Sequence, residues 1–205
     1  MTIERTSDPL ELRHAATDRA TIVVVPERRM LAIDGLGDPR AADFVFASEA
    51  LRTAAELLRQ RVGREYGVKS KPAVLEAAWW THPEPPSVEL AHAFADRRTW
   101  HWQQMVEIPP EATDEDAAAA IDETRARAGR PVPLLRVITF AEGRSAQILH
   151  VGGPATQPRS VQALYDAVAA AGLRPHGHLH EIRTSDHERV PDDRARSILR
   201  LPIEA

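Results

Sequence analysis

Two glutamates stand where an acid needs a reason. Glu76 lies in Val74-Leu75-Glu76-Ala77-Ala78-Trp79-Trp80 and Glu181 in His180-Glu181-Ile182, both inside stretches that otherwise read as strands. Side chains alternate along a strand, so Glu76 shares a face with Ala78 and Trp80, while Leu75, Ala77 and Trp79 take the other. A carboxylate beside indole in a partly dry concavity suits a general base, an activator of water or a counter-ion for a cationic ligand. The plainer reading of each residue alone is a strand-end acid bonded to arginine or water. All four tryptophans, Trp79, Trp80, Trp100 and Trp102, fall in one short stretch, although aromatics are only 5% of the chain. Trp100 and Trp102 share a strand face, and adjacent tryptophan-bearing strands can form a flat cleft for a planar hydrophobic ligand or simply fill a core. His176, His178 and His180 alternate as neighbouring zinc ligands do. Glu181 points away from them, so His150 or His187 would have to complete such a site, and satisfied or exposed histidines are the preferred reading. No metal and no cofactor are expected.

Other chemistries lose support from what the chain lacks. It has no cysteine, hence no disulfide, thiolate metal site or cysteine nucleophile, and a cytoplasmic location is the default. It carries no Gly-x-Ser-x-Gly, no phosphate loop ending in Gly-Lys-Ser/Thr and no Gly-x-Gly-x-x-Gly. A net charge of -4 argues against a general basic field for nucleic acid, and the first 20 residues are too short for a helix-turn-helix. No apolar run approaches the ~20 residues needed to span a bilayer. A planar hydrophobic small molecule is the expected partner, with neither nucleic acid nor membrane.

The elements that must hold these residues follow from periodicity and punctuation. With 205 residues, 43% hydrophobic and 27% charged, the chain is long enough for one ordinary domain or two small fused halves. Residues 1–20 are polar and aperiodic and read as a flexible arm. Short β runs at 22–25 and 30–33 lead into the breaker Asp34-Gly35-Leu36-Gly37-Asp38-Pro39. Leu51, Ala55, Leu58 and Val62 then mark a helix from Ala41 that stops at Gly63. A strand over 73–80, a short helix over 87–94 and an edge or terminal strand over 100–108 follow. Thr113, with Asp114, Glu115 and Asp116 behind it, opens an alanine-rich helix to about 128. Strands at 134–140 and 144–151 flank a tight-turn candidate at Glu142-Gly143. A helix over 160–171 stops at Gly172, with Tyr165 facing inward, and 174–184 and 197–203 close the chain as strands.

Set side by side, the two halves repeat one order of elements. Ile33, a Gly37/Pro39 breaker, a helix, the Glu76 strand and a last strand correspond to Ile148, Gly152/Pro154, a helix, the Glu181 strand and Ile198 to Pro202. The modules span about 21–110 and 131–205 and are joined by a helical connection. A pseudo-twofold pairing of the modules is expected to bring Glu76 and Glu181 together at a shared groove.

The segments Val74 to Trp80, Trp100-His101-Trp102-Gln103-Gln104-Met105-Val106, Glu142-Gly143 through Gln147-Ile148-Leu149-His150-Val151-Gly152, His180-Glu181-Ile182 with Ser185-Asp186, and Ile198-Leu199-Arg200 occur in this order. In this the chain resembles, over roughly residues 20 to 204, the GyrI-like small-molecule-binding family, related to effector domains of multidrug-sensing regulators. The resemblance implies an α+β fold of duplicated β-α-β-β modules (SHS2-like, GyrI-like), with a ligand groove of acidic and aromatic residues between them. The paired tryptophans and His-Glu-Ile look like the branch that hydrolyses the cyclopropane of DNA-alkylating natural products of the yatakemycin and duocarmycin type, a detoxification that serves as antibiotic resistance. It implies that Glu181 activates the water, that Glu76 faces it, and that Trp80 and Trp102 grip the flat ligand, with His150 or Tyr165 as donor to the phenolate. Where relatives carry two consecutive histidines before this glutamate, the first is here Leu179. The competing reading is a protein that binds, sequesters or senses a planar drug without turnover.

Overall fold

A computed structural model describes residues 16–81, 97–185 and 190–204. The arm over residues 1–15 and the expected helix over 87–94 lie outside the described residues. Ala16, at the end of the arm, packs with Ile182 and Ile198, and the Thr17 carbonyl accepts from the Leu149 amide at 2.7 Å.

Nine strands and three α-helices are seen among the described residues: β1 (Thr21–Val25), β2 (Arg28–Leu36), α1 (Ala42–Tyr66), β3 (Leu75–Trp80), β4 (His101–Glu107), α2 (Asp114–Arg127), β5 (Arg136–Phe140), β6 (Gly143–Val151), α3 (Gln157–Ala170), β7 (Arg174–Pro175), β8 (Leu179–Arg183) and β9 (Arg196–Glu204). None of these helices is long and apolar enough to cross a membrane.

The α1 helix buries Phe44, Ala47, Leu51, Ala54, Leu58 and Val62, a stripe at three- and four-residue spacing that faces the sheet. It runs one turn past the expected stop at Gly63 and ends where Gly67 turns left-handed at φ 70°. A mid-helix glycine costs only about 1 kcal/mol, which the buried stripe outweighs. In α2 the Thr113 hydroxyl accepts from the Asp116 amide while Asp116 accepts from the Thr113 amide, both at 3.1 Å. This helix packs on α1, where Asp116 also meets Arg61 at 2.8 Å. The α3 helix lays Val161, Leu164, Tyr165 and Val168 on β6 and β9.

The strands form one antiparallel sheet in the order β1-β6-β9-β8-β3-β4-β2-β5, with β7 paired to β9. Strand β4, expected at an edge, lies between β3 and β2. Its Pro109-Pro110 follow the strand and so interrupt no ladder. Strands β5 and β6 are consecutive but do not pair: β5 joins β2, and β6 joins β1 and β9. Only Pro26 and Glu27 separate β1, at one end of the order, from β2 near the other. Two intervening residues span at most about 11 Å, so the sheet must curl until its ends approach. Its concave face carries contacts between distant strands: the Phe140 ring of β5 meets His180 of β8 edge-on, centroids 5.2 Å apart. The helices cover the convex face, where the main apolar core lies.

The two halves of this α+β fold are a duplication. Order β2-β4-β3 on one side of the β3/β8 junction mirrors β6-β9-β8 on the other, with α1 and α3 as equivalent helices. The registers fix the residue correspondence. Ile33 pairs Gln104, whose neighbour Met105 pairs Glu76; Ile148 pairs Leu199, whose neighbour Arg200 pairs His180. The counterpart of Glu76 is therefore His180, and that of Glu181 is Ala77. This corrects the expected equivalence of the two glutamates, which is off by one residue, and a one-residue slip moves a side chain to the other face.

Candidate ligand site at the module junction

In the β3/β8 register, Glu76 faces Ile182 and Ala77 faces Glu181. Glu76 thus points into the concave face and Glu181 out to the convex one, so they share no groove. The tryptophans divide likewise. Trp79 pairs Trp102 on the convex face, with Trp100 two residues before it, whereas Trp80 lies on the concave face opposite His101. Trp80 and Trp102 therefore do not face one ligand.

The concave acid is held in an ionic cluster. Arg28 grips Glu76 with two hydrogen bonds, at 3.0 and 2.9 Å. His180 Nε2 lies 3.0 Å from Glu76, and Nδ1 lies 2.9 Å from Glu142. Arg200 donates to Glu142 at 2.9 Å and to Gln147 at 3.2 and 3.0 Å. With a carboxylate at each ring nitrogen, the imidazole carries both protons. Burial would lower the His180 pKa, but Glu142 and then Glu76 outweigh it and hold it above its ordinary value. Burial pushes the Glu142 carboxyl up, yet His180 and Arg200 bring it down to about 2. Glu76 is likewise held well below the carboxylate range, by Arg28 and His180 against burial. Residues from β2, β3, β6, β8, β9 and the β5–β6 turn meet here, so both modules are tied together.

The three alternating histidines are not brought together. His180 is in the cluster, His178 stacks on Trp80 at 4.5 Å, and His176 is exposed with Nδ1 3.6 Å from Glu204. The strand breaks between β7 and β8, which ends the alternation. Among the described residues, no group of three or more His, Asp or Glu could hold a metal ion.

On the convex face Glu181 is buried, 3% exposed. Arg97 Nη1 donates to its Oε2 at 3.3 Å, and Arg183 Nε stands 3.7 Å from Oε1. The Arg97 guanidinium sits 4.4 Å above the Trp79 ring and donates to Gln157 at the start of α3. Phe44 of α1 stacks on Trp79 at 5.4 Å and meets Trp102 edge-on at 5.0 Å. Behind it Ser48 donates to Gln104 at 2.7 Å, and Gln104 donates to the Phe44 carbonyl at 2.8 Å, which fixes the position of the α1 turn. One carboxylate, two guanidiniums and a stacked aromatic wall from both modules thus converge. Such a set can hold a planar ligand, or hold a water against a carboxylate.

The remaining expected residues fall elsewhere. His150 Nδ1 lies 2.9 Å from Ser160 and Nε2 3.4 Å from the Gly153 carbonyl, so its ring is engaged at the entry to α3. Tyr165 is 7% exposed in the core beneath α3, and Trp100 is buried beside the turn at Gly37. Arg97, Gln157 and Phe44 were not singled out from the sequence, and Asp96-Arg97-Arg98 offers no periodicity that would mark one arginine. Arg200 did leave a signal, as a charge inside Ile198-Leu199-Arg200-Leu201, the same anomaly that marks Glu76.

No protein-family model and no curated protein matches the chain. Solved structures do. An uncharacterized conserved protein from Listeria innocua superposes with TM-score 0.80 at 24% identity, over 95% of this chain and 96% of that one. A hydrolase from Listeria innocua gives 0.79 at 23%, with the same coverage. The EcmrR C-terminal domain gives 0.56 at 9%, over 91% and 97%. At these identities the likeness is one of fold: the chain shares the whole-length architecture of these proteins, curled sheet and flanking helices together.

Proposed function

We propose that this chain is a hydrolase that opens, with water, the cyclopropane of DNA-alkylating cyclopropanoids of the yatakemycin and duocarmycin type. One observation carries the reading: the buried Glu181 carboxylate lies on the same sheet face as the Phe44–Trp79 stack, at the junction of the two modules. The name hydrolase borne by the Listeria innocua protein of the same fold accords with it. The flat substrate lies along the aromatic wall while Glu181 orients a water and takes its proton. The water oxygen bonds to the cyclopropane methylene, the strained C–C bond breaks, and its electron pair enters the conjugated dienone as a phenolate. The proton held by Glu181 returns to that phenolate, so one water is consumed and a phenol results. Strain and rearomatisation drive the step, so a base and a shaped wall suffice.

The second reading is capture of a planar drug without turnover, favoured by the ion pair that already engages Glu181 with Arg97. Purified protein mixed with excess of a duocarmycin-type cyclopropane separates the two. The expected result is many turnovers to a water adduct of the substrate by mass, and a Glu181→Gln variant that still binds but loses at least about a hundredfold in rate. Stoichiometric binding with no water adduct would make the protein a sequestering one, and no binding would remove both readings.

A further inference from the structure

We infer that Arg97 sets the charge selectivity of the Glu181 site: its guanidinium holds the seat a planar cation would take, so the site accepts a flat neutral ligand and refuses a flat cation of the same shape. The inference rests on the reading that ligands enter at Glu181 and Trp79. A seat for an aromatic cation needs a carboxylate and the face of an electron-rich ring, and here both already contact one planar cation. Arg97 lies 3.3 Å from Glu181 and 4.4 Å above Trp79, with Gln157 as a third anchor. Arg183 adds a second positive charge, 3.7 Å from the same carboxylate and 5.6 Å from the Phe44 ring. Two guanidiniums therefore share the charge of Glu181, and an incoming cation would meet net repulsion. Burial, with Arg183 adding to it, draws the Arg97 pKa down despite Glu181. A neutral aromatic carbonyl meets the reverse situation, since the guanidinium offers a stacking plane and N–H donors.

Of the two guanidiniums only Arg97 lies against both Glu181 and the Trp79 ring, so its replacement tests the selectivity. Arg97→Met keeps much of the length, removes the charge and leaves Glu181 and Trp79 to an external cation. The probes are acridine and N-methylacridinium, of nearly one shape, at a pH where acridine is neutral, with binding followed by titration calorimetry. Wild type is expected to bind acridine at least about tenfold more tightly than N-methylacridinium. Arg97→Met reverses that order, gaining about tenfold for the cation. Adding Glu181→Gln to Arg97→Met abolishes the gain, and Arg97→Lys keeps the wild-type order. Equal affinity of wild type for both probes would overturn the inference, a result that needs no variant to fold. So would an equal gain for both probes in Arg97→Met, which would mean only that room was made. If acridine binds and Glu181→Gln leaves its affinity unchanged while N-methylacridinium gains nothing in Arg97→Met, the selectivity claim fails and the hydrolase reading still stands on its own turnover test. Failure of both probes to bind every variant would overturn the site itself.

Discussion

His180 is where the chemistry of single residues decides stability. Its ring is 1% exposed with a carboxylate at each nitrogen, so the folded state favours the imidazolium. A histidine whose folded pKa is raised contributes fully below its unfolded pKa of about 6.5 and loses that contribution as pH rises through the folded value. Glu76 and Glu142, whose pKa values are depressed, contribute above the ordinary carboxylate range and lose it as pH falls, for Glu142 toward about 2. Denaturant midpoints measured across pH should therefore fall on both sides, with the alkaline limb beginning as pH rises past the unfolded histidine value of about 6.5. His180→Gln should flatten that limb and cost about 3–5 kcal/mol at mildly acidic pH, because it removes one partner of buried charges. An alkaline limb unchanged in His180→Gln would assign it to another group. Half of this cluster was legible in the sequence: an acid at 76 and an arginine at 200 inside apolar strands announced buried charge. Which partners they take was not, since Arg28 and Glu142 lie at strand ends whose neighbours only the sheet order reveals.

Strand parity governs the elements. Reading side chains by alternation correctly set Glu76 with Trp80 and against Trp79, because parity is local to one strand. Aligning the two modules by glutamate failed, because the relation between strands is set by ladder register and not by residue type. Helices were more legible, since Thr113 and the acids behind it mark a start by chemistry at fixed offsets. Gly35 shows a constraint that periodicity cannot reveal. It pairs with Trp102, and a Cβ there would lie 2.1 Å from the indole. Gly35→Ala should lower stability by about 1–3 kcal/mol and alter tryptophan fluorescence, as overpacking does. Gly129, whose Cβ would have nothing within 4 Å, should tolerate alanine with little change. Thermal melts of the two variants, recorded side by side, check the contrast.

At the scale of the molecule the duplication is exchanged as well as repeated. Strand β1 opens the first module yet pairs with β6 of the second, and β5 opens the second yet pairs with β2 of the first. Each half therefore holds an outer strand of the other, and the inner ionic cluster draws on both. Denaturant unfolding should give a single transition by both far-ultraviolet dichroism and tryptophan fluorescence, and two separated transitions would contradict this mutual closure. The repeat of elements was legible from order alone; the exchange was not, because nothing in the type of residues 21–25 says which strand they will meet. It also imposes a schedule on synthesis. Strand β1 leaves the ribosome long before its partner, Gly143 to Gln147, so Ile22, Val23 and Val25 must wait for it, apolar, while the intervening chain is made. A nascent chain stalled before β6 is thus a natural client for holding chaperones, and translation speed ahead of residue 143 becomes part of what determines the yield of folded protein.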